Sequence, residues 1–318
     1  MCKDTYKLGN SLFILMLFLS MPLHGKQTAF SKTKDGAETA FHYRWDDELE
    51  QTSEINFRLA TKQFNVKNHK RFVPDLAQQY VYIELHKEAR KIDPREARVQ
   101  IKKTGQDIQI NVKSRSDKLL KKWRQTMAKS EESAFDQYLN DNYYSRFQSY
   151  LGQEAVKPDH LRYINENKAS LLPIAQAIYE MVPENSDSRD YISLLLSWVQ
   201  SIPYDELQDR MTSNGAGYLP PLSVIANNKG DCDSKSVLMG SLVRALLPDI
   251  KMVMVYLPNH ALLGIKLPFR PSEKTYEIEG VDYTLMEPTG PANMPLSEIS
   301  ASSARDLASR MFSHEVVL

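Results

Sequence analysis

Between Asn228 and Leu247 the chain reads Asn-Lys-Gly-Asp-Cys-Asp-Ser-Lys-Ser-Val-Leu-Met-Gly-Ser-Leu-Val-Arg-Ala-Leu-Leu, and Pro248 follows. This segment limits the possible folds more than any other. Gly230 interrupts whatever precedes it, and Asp231 suits a helix cap because its carboxylate can accept the free amides of a first turn. Leu238, Leu242, Ala245 and Leu246 recur at helical spacing and form a stripe that must be buried, and Pro248 ends the run. The next apolar runs have a different character. Ile250–Leu257 is rich in β-branched residues, Pro258-Asn259 turns the chain, and His260–Leu267 follows as a second strand. Strands that close in sequence are expected to pair antiparallel. Thr275–Glu279 and Asp282–Glu287 form another such pair about Gly280, and Pro288 stops the second strand. A striped helix followed by adjacent antiparallel strands predicts an α+β architecture.

The same segment carries chemistry. Cys232 falls in the first turn of the helix, where unpaired amides and the positive end of the helix dipole favour a thiolate. His260 opens the second strand, near one rim of the sheet, where it can serve as a general base. Glu287 ends the fourth strand, where it can accept the other imidazole proton and fix the ring. Each has a plainer reading: a buried structural cysteine, a turn histidine, a solvated strand end. Asp282 is the fallback acid, but it lies an odd number of residues from Glu287 and should face the other side. The cysteine count bears on the first choice. The chain has Cys2 and Cys232, so loss of an N-terminal leader leaves Cys232 without an internal partner.

Taken together, the cysteine helix, the strand, the His260-Ala261 opening and the closing Glu287-Pro-Thr resemble the core of the transglutaminase-like superfamily, in its bacterial cysteine-peptidase type. Upstream, Trp198-Val-Gln-Ser-Ile-Pro-Tyr204 resembles the segment ahead of that family's nucleophile, and Val224–Asp233 resembles its nucleophile approach. The resemblance covers roughly residues 190–292. It implies a papain/transglutaminase-like core with the nucleophile helix packed on an antiparallel sheet. It also implies a triad of Cys232, His260 and Glu287, with Glu287 where the family usually has Asp. For the oxyanion, the Cys232 amide is the natural first donor, Gln200 and Tyr204 are side-chain candidates, and Asp231 supports the helix start. The implied activity is thiol-dependent acyl transfer on protein amide bonds, by a peptidase or amidase. The alternatives are a transglutaminase-type cross-linker and a non-catalytic binding or assembly module.

The rest of the chain sets the context. Lys3 and Lys7 precede the apolar run Ser11–Leu23, which reads as a secretory signal over residues 1–25 and predicts a periplasmic or secreted protein. Gly25 and Ala29 are the candidate cleavage points, and an uncleaved anchor is the alternative. Once the signal is removed, no stable membrane insertion is expected. Residues 26–40 are polar and read as a linker, and 41–155 as a mixed N-terminal domain ahead of a catalytic domain at 156–318. Phe41–Trp45 and Ile55–Leu59 alternate as half-buried strands, and 99–101 with 108–112 make a hairpin. Helical spacing runs through Pro74–Arg90, Ser116–Phe147, Leu171–Val182 and Tyr191–Ile202. The formal net charge is +0, so composition points to a protein or peptide substrate and not to nucleic acid. With no paired cysteines, no His-Glu-x-x-His run and no phosphate loop, no cofactor or metal is expected, although scattered acids leave a motif-free calcium site open.

Overall fold

Alternation at the N-terminal end of the chain becomes a sheet larger than expected. In the computed structural model, residues 26–318 are described apart from 48, 66–68, 106, 210–214 and 269, so the expected leader at 1–25 lies outside the described residues. Lys26–Asp35 (β1), Glu38–Asp46 (β2) and Thr52–Ala60 (β3) form a three-stranded antiparallel sheet. The linker expected at 26–40 is therefore a strand and the start of a second, with Ala29 paired to Arg44. The reason is lateral pairing: β1 is an edge strand that is largely exposed, so its sequence carries no apolar alternation.

Next come Pro74–Arg90 (α1), Arg98–Thr104 (β4), Asp107–Lys113 (β5) and Asp117–Asp141 (α2). Pro74 starts α1, as its fixed φ and missing N–H allow, and Ser116 caps α2 by accepting the Leu119 amide. The helix expected over 116–147 ends at Asp141. Tyr143 then takes φ +60°, and Tyr144–Gln148 (β6) pairs with Glu154–Pro158 (β7) as a hairpin.

His160–Tyr179 (α3) begins eleven residues before the expected Leu171, because Leu161, Tyr163 and Ile164 extend the buried face past a polar stretch. Ser188–Ser201 (α4) is capped by Asp187, and Pro221–Asn227 (α5) leads into Cys232–Leu246 (α6). The four strands expected after the helix appear near their expected places as Met252–Leu257 (β8), His260–Ile265 (β9), Thr275–Ile278 (β10) and Val281–Met286 (β11). Ala301–Ala308 (α7) and Ser313–Val317 (β12) complete the chain. The five-stranded sheet runs β10-β11-β9-β8-β12, antiparallel throughout, so the chain is α+β.

The cores redraw the expected domains. The inner faces of β2 and β3, with Phe41, Tyr43, Trp45, Ile55, Phe57 and Leu59, share one core with α3, α4, α6 and β8. Trp198 meets Tyr43 edge-on at 5.3 Å between ring centroids, and the Trp45 indole donates to Ser197 Oγ at 3.0 Å. α1, β4, β5 and α2 keep a core of their own, built on Val81, Leu85, Ile101, Val112 and Met127, and a third cluster of Val253, Val255, Leu262, Tyr283, Leu285 and Leu307 lines the other face of the five-stranded sheet. The boundary expected at 155 therefore does not separate two bodies: residues 26–60 belong with the C-terminal part. Among the described residues, no helix is long and apolar enough to cross a membrane.

Candidate active site

The site is built from the start of α6. Asp231 has extended backbone and accepts the Ser234 amide at 2.9 Å, which is the cap its position predicts. Behind it, Gly230 bridges Tyr204 in parallel, with Gly230 N donating to Pro203 O at 3.2 Å and Asp205 N to Gly230 O at 3.2 Å. This fixes where the loop before the nucleophile runs, and it brings Tyr204 beside Cys232.

Cys232 is the first residue of α6 and is partly buried. Its thiol donates to Asp233 Oδ1 at 3.6 Å, and the Ala261 amide donates towards the sulfur. One turn on, Ser236 Oγ donates to Ala261 O at 3.3 Å. The sulfur thus lies against the first residues of β9, where His260 stands. Burial pushes the thiol up, and the carboxylates of Asp233 and Asp231 push in the same direction. With no opposing cation the resting sulfur keeps its proton, so thiolate formation here requires a proton acceptor and a counter-charge.

His260 is the residue expected to supply both. Its Nε2 lies 3.5 Å from Glu287 Oε2, which leaves Nδ1 as the ring nitrogen not turned to the acid. Glu287 is buried at 8% exposure. Its other oxygen accepts the Ser300 amide at 2.9 Å and the Ser303 hydroxyl at 2.5 Å. Burial alone would raise this carboxyl, but the hydrogen bonds from His260, Ser303 and Ser300 outweigh it and hold the pKa at about 2. The start of α7 therefore steadies the acid. Sequence reading passed over Ser300 and Ser303. Their signal is weak: a serine cap accepting the Ser303 amide ahead of a helix of eight residues. Asp282 is exposed and faces away from the site, as its register requires.

The supporting candidates separate. Gln200 is 2% exposed, and its side-chain amide donates to Glu287 O and to Met294 O, each at 2.9 Å. Both protons are spent on the backbone around Glu287, so Gln200 braces that segment and has no amide proton left for an oxyanion. Tyr204 is exposed, and partial burial and then the neighbouring Cys232, Asp231 and Glu206 push its phenol up, so it remains a donor. Asp231 is likewise pushed up to about 7 by burial and by Asp233.

Lys235, one turn after Cys232, is fully buried, and its ammonium donates to the carbonyls of Gln200 (3.3 Å), Ile202 (2.7 Å) and Thr289. Burial draws its pKa down to about 7, while three carbonyl acceptors match the three protons of the charged form. This ties α6 to the turn that follows Glu287. Gly290 in that turn has φ +60°, and any side chain there would strike the Gln200 carbonyl. Among the described residues, no three His, Cys, Asp or Glu side chains converge as metal ligands. Comparison with family models, with curated proteins and with solved structures finds no match to this chain, so the functional reading rests on its own residues and their geometry.

Proposed function

We propose that this chain is a thiol-dependent acyl-transfer enzyme of transglutaminase-like type that acts on protein amide bonds, working outside the cytoplasm as a peptidase or amidase. The observation that carries the reading is a helix-start sulfur set against the strand whose first residue, His260, is held by a fixed and ionised Glu287. In this reaction His260 takes the Cys232 proton as the sulfur attacks the amide carbonyl, and returns it to the leaving amine. Glu287 stabilises the imidazolium in between. The Cys232 amide and the Tyr204 hydroxyl are the oxyanion donors. Water then resolves the thioester; a lysine amine in its place would give a cross-link.

The test is wild type against Cys232→Ala on extracts of exported proteins. New fragments in the wild-type sample alone are expected, and new cross-linked species would instead assign the amine-accepting activity. Identical patterns from the two proteins would overturn the enzymatic reading. One observation favours a second reading, that of a binding module: the thiol is hydrogen-bonded to a carboxylate and pushed up, as an unreactive cysteine would be. Iodoacetamide separates the two, because a module would alkylate no faster than a free thiol at neutral pH.

A further inference from the structure

Beyond Asp233 lies a chain of polar side chains with no role in the proposed triad. Asp233 Oδ2 is 3.6 Å from His160 Nε2, at the first residue of α3. His160 Nδ1 is 3.0 Å from the Tyr256 hydroxyl on β8, and that hydroxyl donates to Glu315 Oε2 on β12 at 2.7 Å. Lys157 on β7 pairs with the same Glu315 oxygen at 2.7 Å. His160 is 0% exposed, and its Nε2 has no hydrogen-bond partner within ordinary reach.

Proton counting along this chain determines its state. Glu315, paired with Lys157, can only accept, so the single Tyr256 proton goes to it. His160 Nδ1 must then donate to the Tyr256 oxygen. In a neutral ring this leaves Nε2 as a lone pair facing Asp233, and two acceptors cannot face each other without a proton between them. That proton belongs either to the carboxyl or to an imidazolium. The ring lies against Tyr218 (5.3 Å between centroids) and Tyr256 (5.6 Å) and is shut off from water, and that burial penalises a cation.

We propose that His160 is a positioning residue for the nucleophile: its Nε2 lone pair, 3.6 Å from Asp233 Oδ2, faces that carboxyl and so keeps it protonated and uncharged beside the Cys232 sulfur. This deepens the acyl-transfer reading and rests on it. An ionised Asp233 would oppose the thiolate at contact distance; a neutral one does not. Burial, then Lys157 and His69, lower the imidazole well below its ordinary value, and partial burial raises Asp233, whose side chain keeps 32% exposure, both in the sense of the neutral pair. The other groups around the pair are Asp231 and Cys232 on α6, His260 on β9, Asp159 at the α3 cap, and Tyr163 and Tyr218. Lys157, the thiol hydrogen bond from Cys232 and His260 favour ionisation of Asp233, and burial and Asp231 oppose it.

The test reads the thiol and not turnover, so it stands whether or not the protein cleaves amides. In the full chain, H160Q offers Asp233 an N–H donor that stabilises its anion. The variant is expected to slow alkylation of Cys232 by iodoacetamide at pH 7 by about tenfold, a differential of about 1.4 kcal/mol. D233N added to H160Q is expected to restore the wild-type rate. An H160Q rate equal to wild type, or a double variant as slow as H160Q, overturns the proposal. Should H160Q fail to fold, ¹⁵N-histidine NMR of the wild type decides. The expected His160 state is neutral, with the proton on Nδ1 and Nε2 accepting; an Nε2–H tautomer or an imidazolium overturns it. Amide cleavage with neither signature would sink this pair alone, and the signatures without cleavage would sink the acyl-transfer reading alone.

Discussion

Glu287 shows how one side chain can couple stability to a proposed chemistry. Its carboxylate is preferred in the folded state, with a pKa near 2 in place of the ordinary value of 4.5. A carboxyl depressed on folding stabilises the protein fully above its ordinary pKa, and this contribution is lost as pH falls from about 4.5 towards 2. The linked contribution is on the order of 3 kcal/mol. Glu287→Gln keeps the shape and removes the charge. It is expected to abolish most of this acid-side slope in a pH series of thermal unfolding and to lower acyl transfer by at least tenfold. An unchanged slope would show that the acid is not held as described. The extra methylene relative to Asp is accommodated because Ser300 and Ser303 grip one oxygen and present the other to His260.

At the scale of elements, α6 is held from two sides. Gly240 lets α3 approach closely, since a Cβ there would come 3.0 Å from Ile164 Cδ1. Lys235 fastens the opposite side to the end of α4 and to the Thr289 turn. Lys235→Met fills similar volume but leaves three buried carbonyls without a donor. At ~1 kcal/mol or more each, the expected loss is about 3 kcal/mol, read as a lower urea midpoint at unchanged slope. A midpoint shift below ~1 kcal/mol would mean water replaces the ammonium.

For the whole molecule, the question is which parts stand alone. The α1–α2 unit has its own core, and its two ends meet: the rings of Phe72 and Tyr144 lie 5.3 Å apart. Replacing residues 74–141 with a short Gly-Ser linker is therefore expected to leave a remainder that unfolds cooperatively, with the near-ultraviolet signal of Trp45 and Trp198 kept. Removing residues 26–60 strips the buried Phe41, Tyr43, Trp45 and Phe57 from the shared core, and is expected to abolish the cooperative transition. The reverse outcome would restore the boundary near residue 155.

These scales also separate what the amino-acid order determined from what it did not. Features with a local cause were legible in it: the cap at Asp231, the stripe of α6, the hairpin of β4 and β5, and the strands that bring His260 and Glu287 to one region. A period of 3.6 or 2 and a capping residue are written in consecutive residues, so they can be read without the fold. Other features have their cause in partners far along the chain. The β1 edge strand pairs without any apolar alternation of its own, β12 closes on β8 across about sixty residues, and Gln200 is turned from oxyanion candidate into a brace by carbonyls about ninety residues away. The setting of His160 is of the same kind: Tyr256 lies 96 residues on, and only packing brings the two together. A side chain's type is given by its codon, but its proton, its partner and its solvent are assigned by tertiary contact, because a buried polar group takes whatever donor or acceptor the fold delivers.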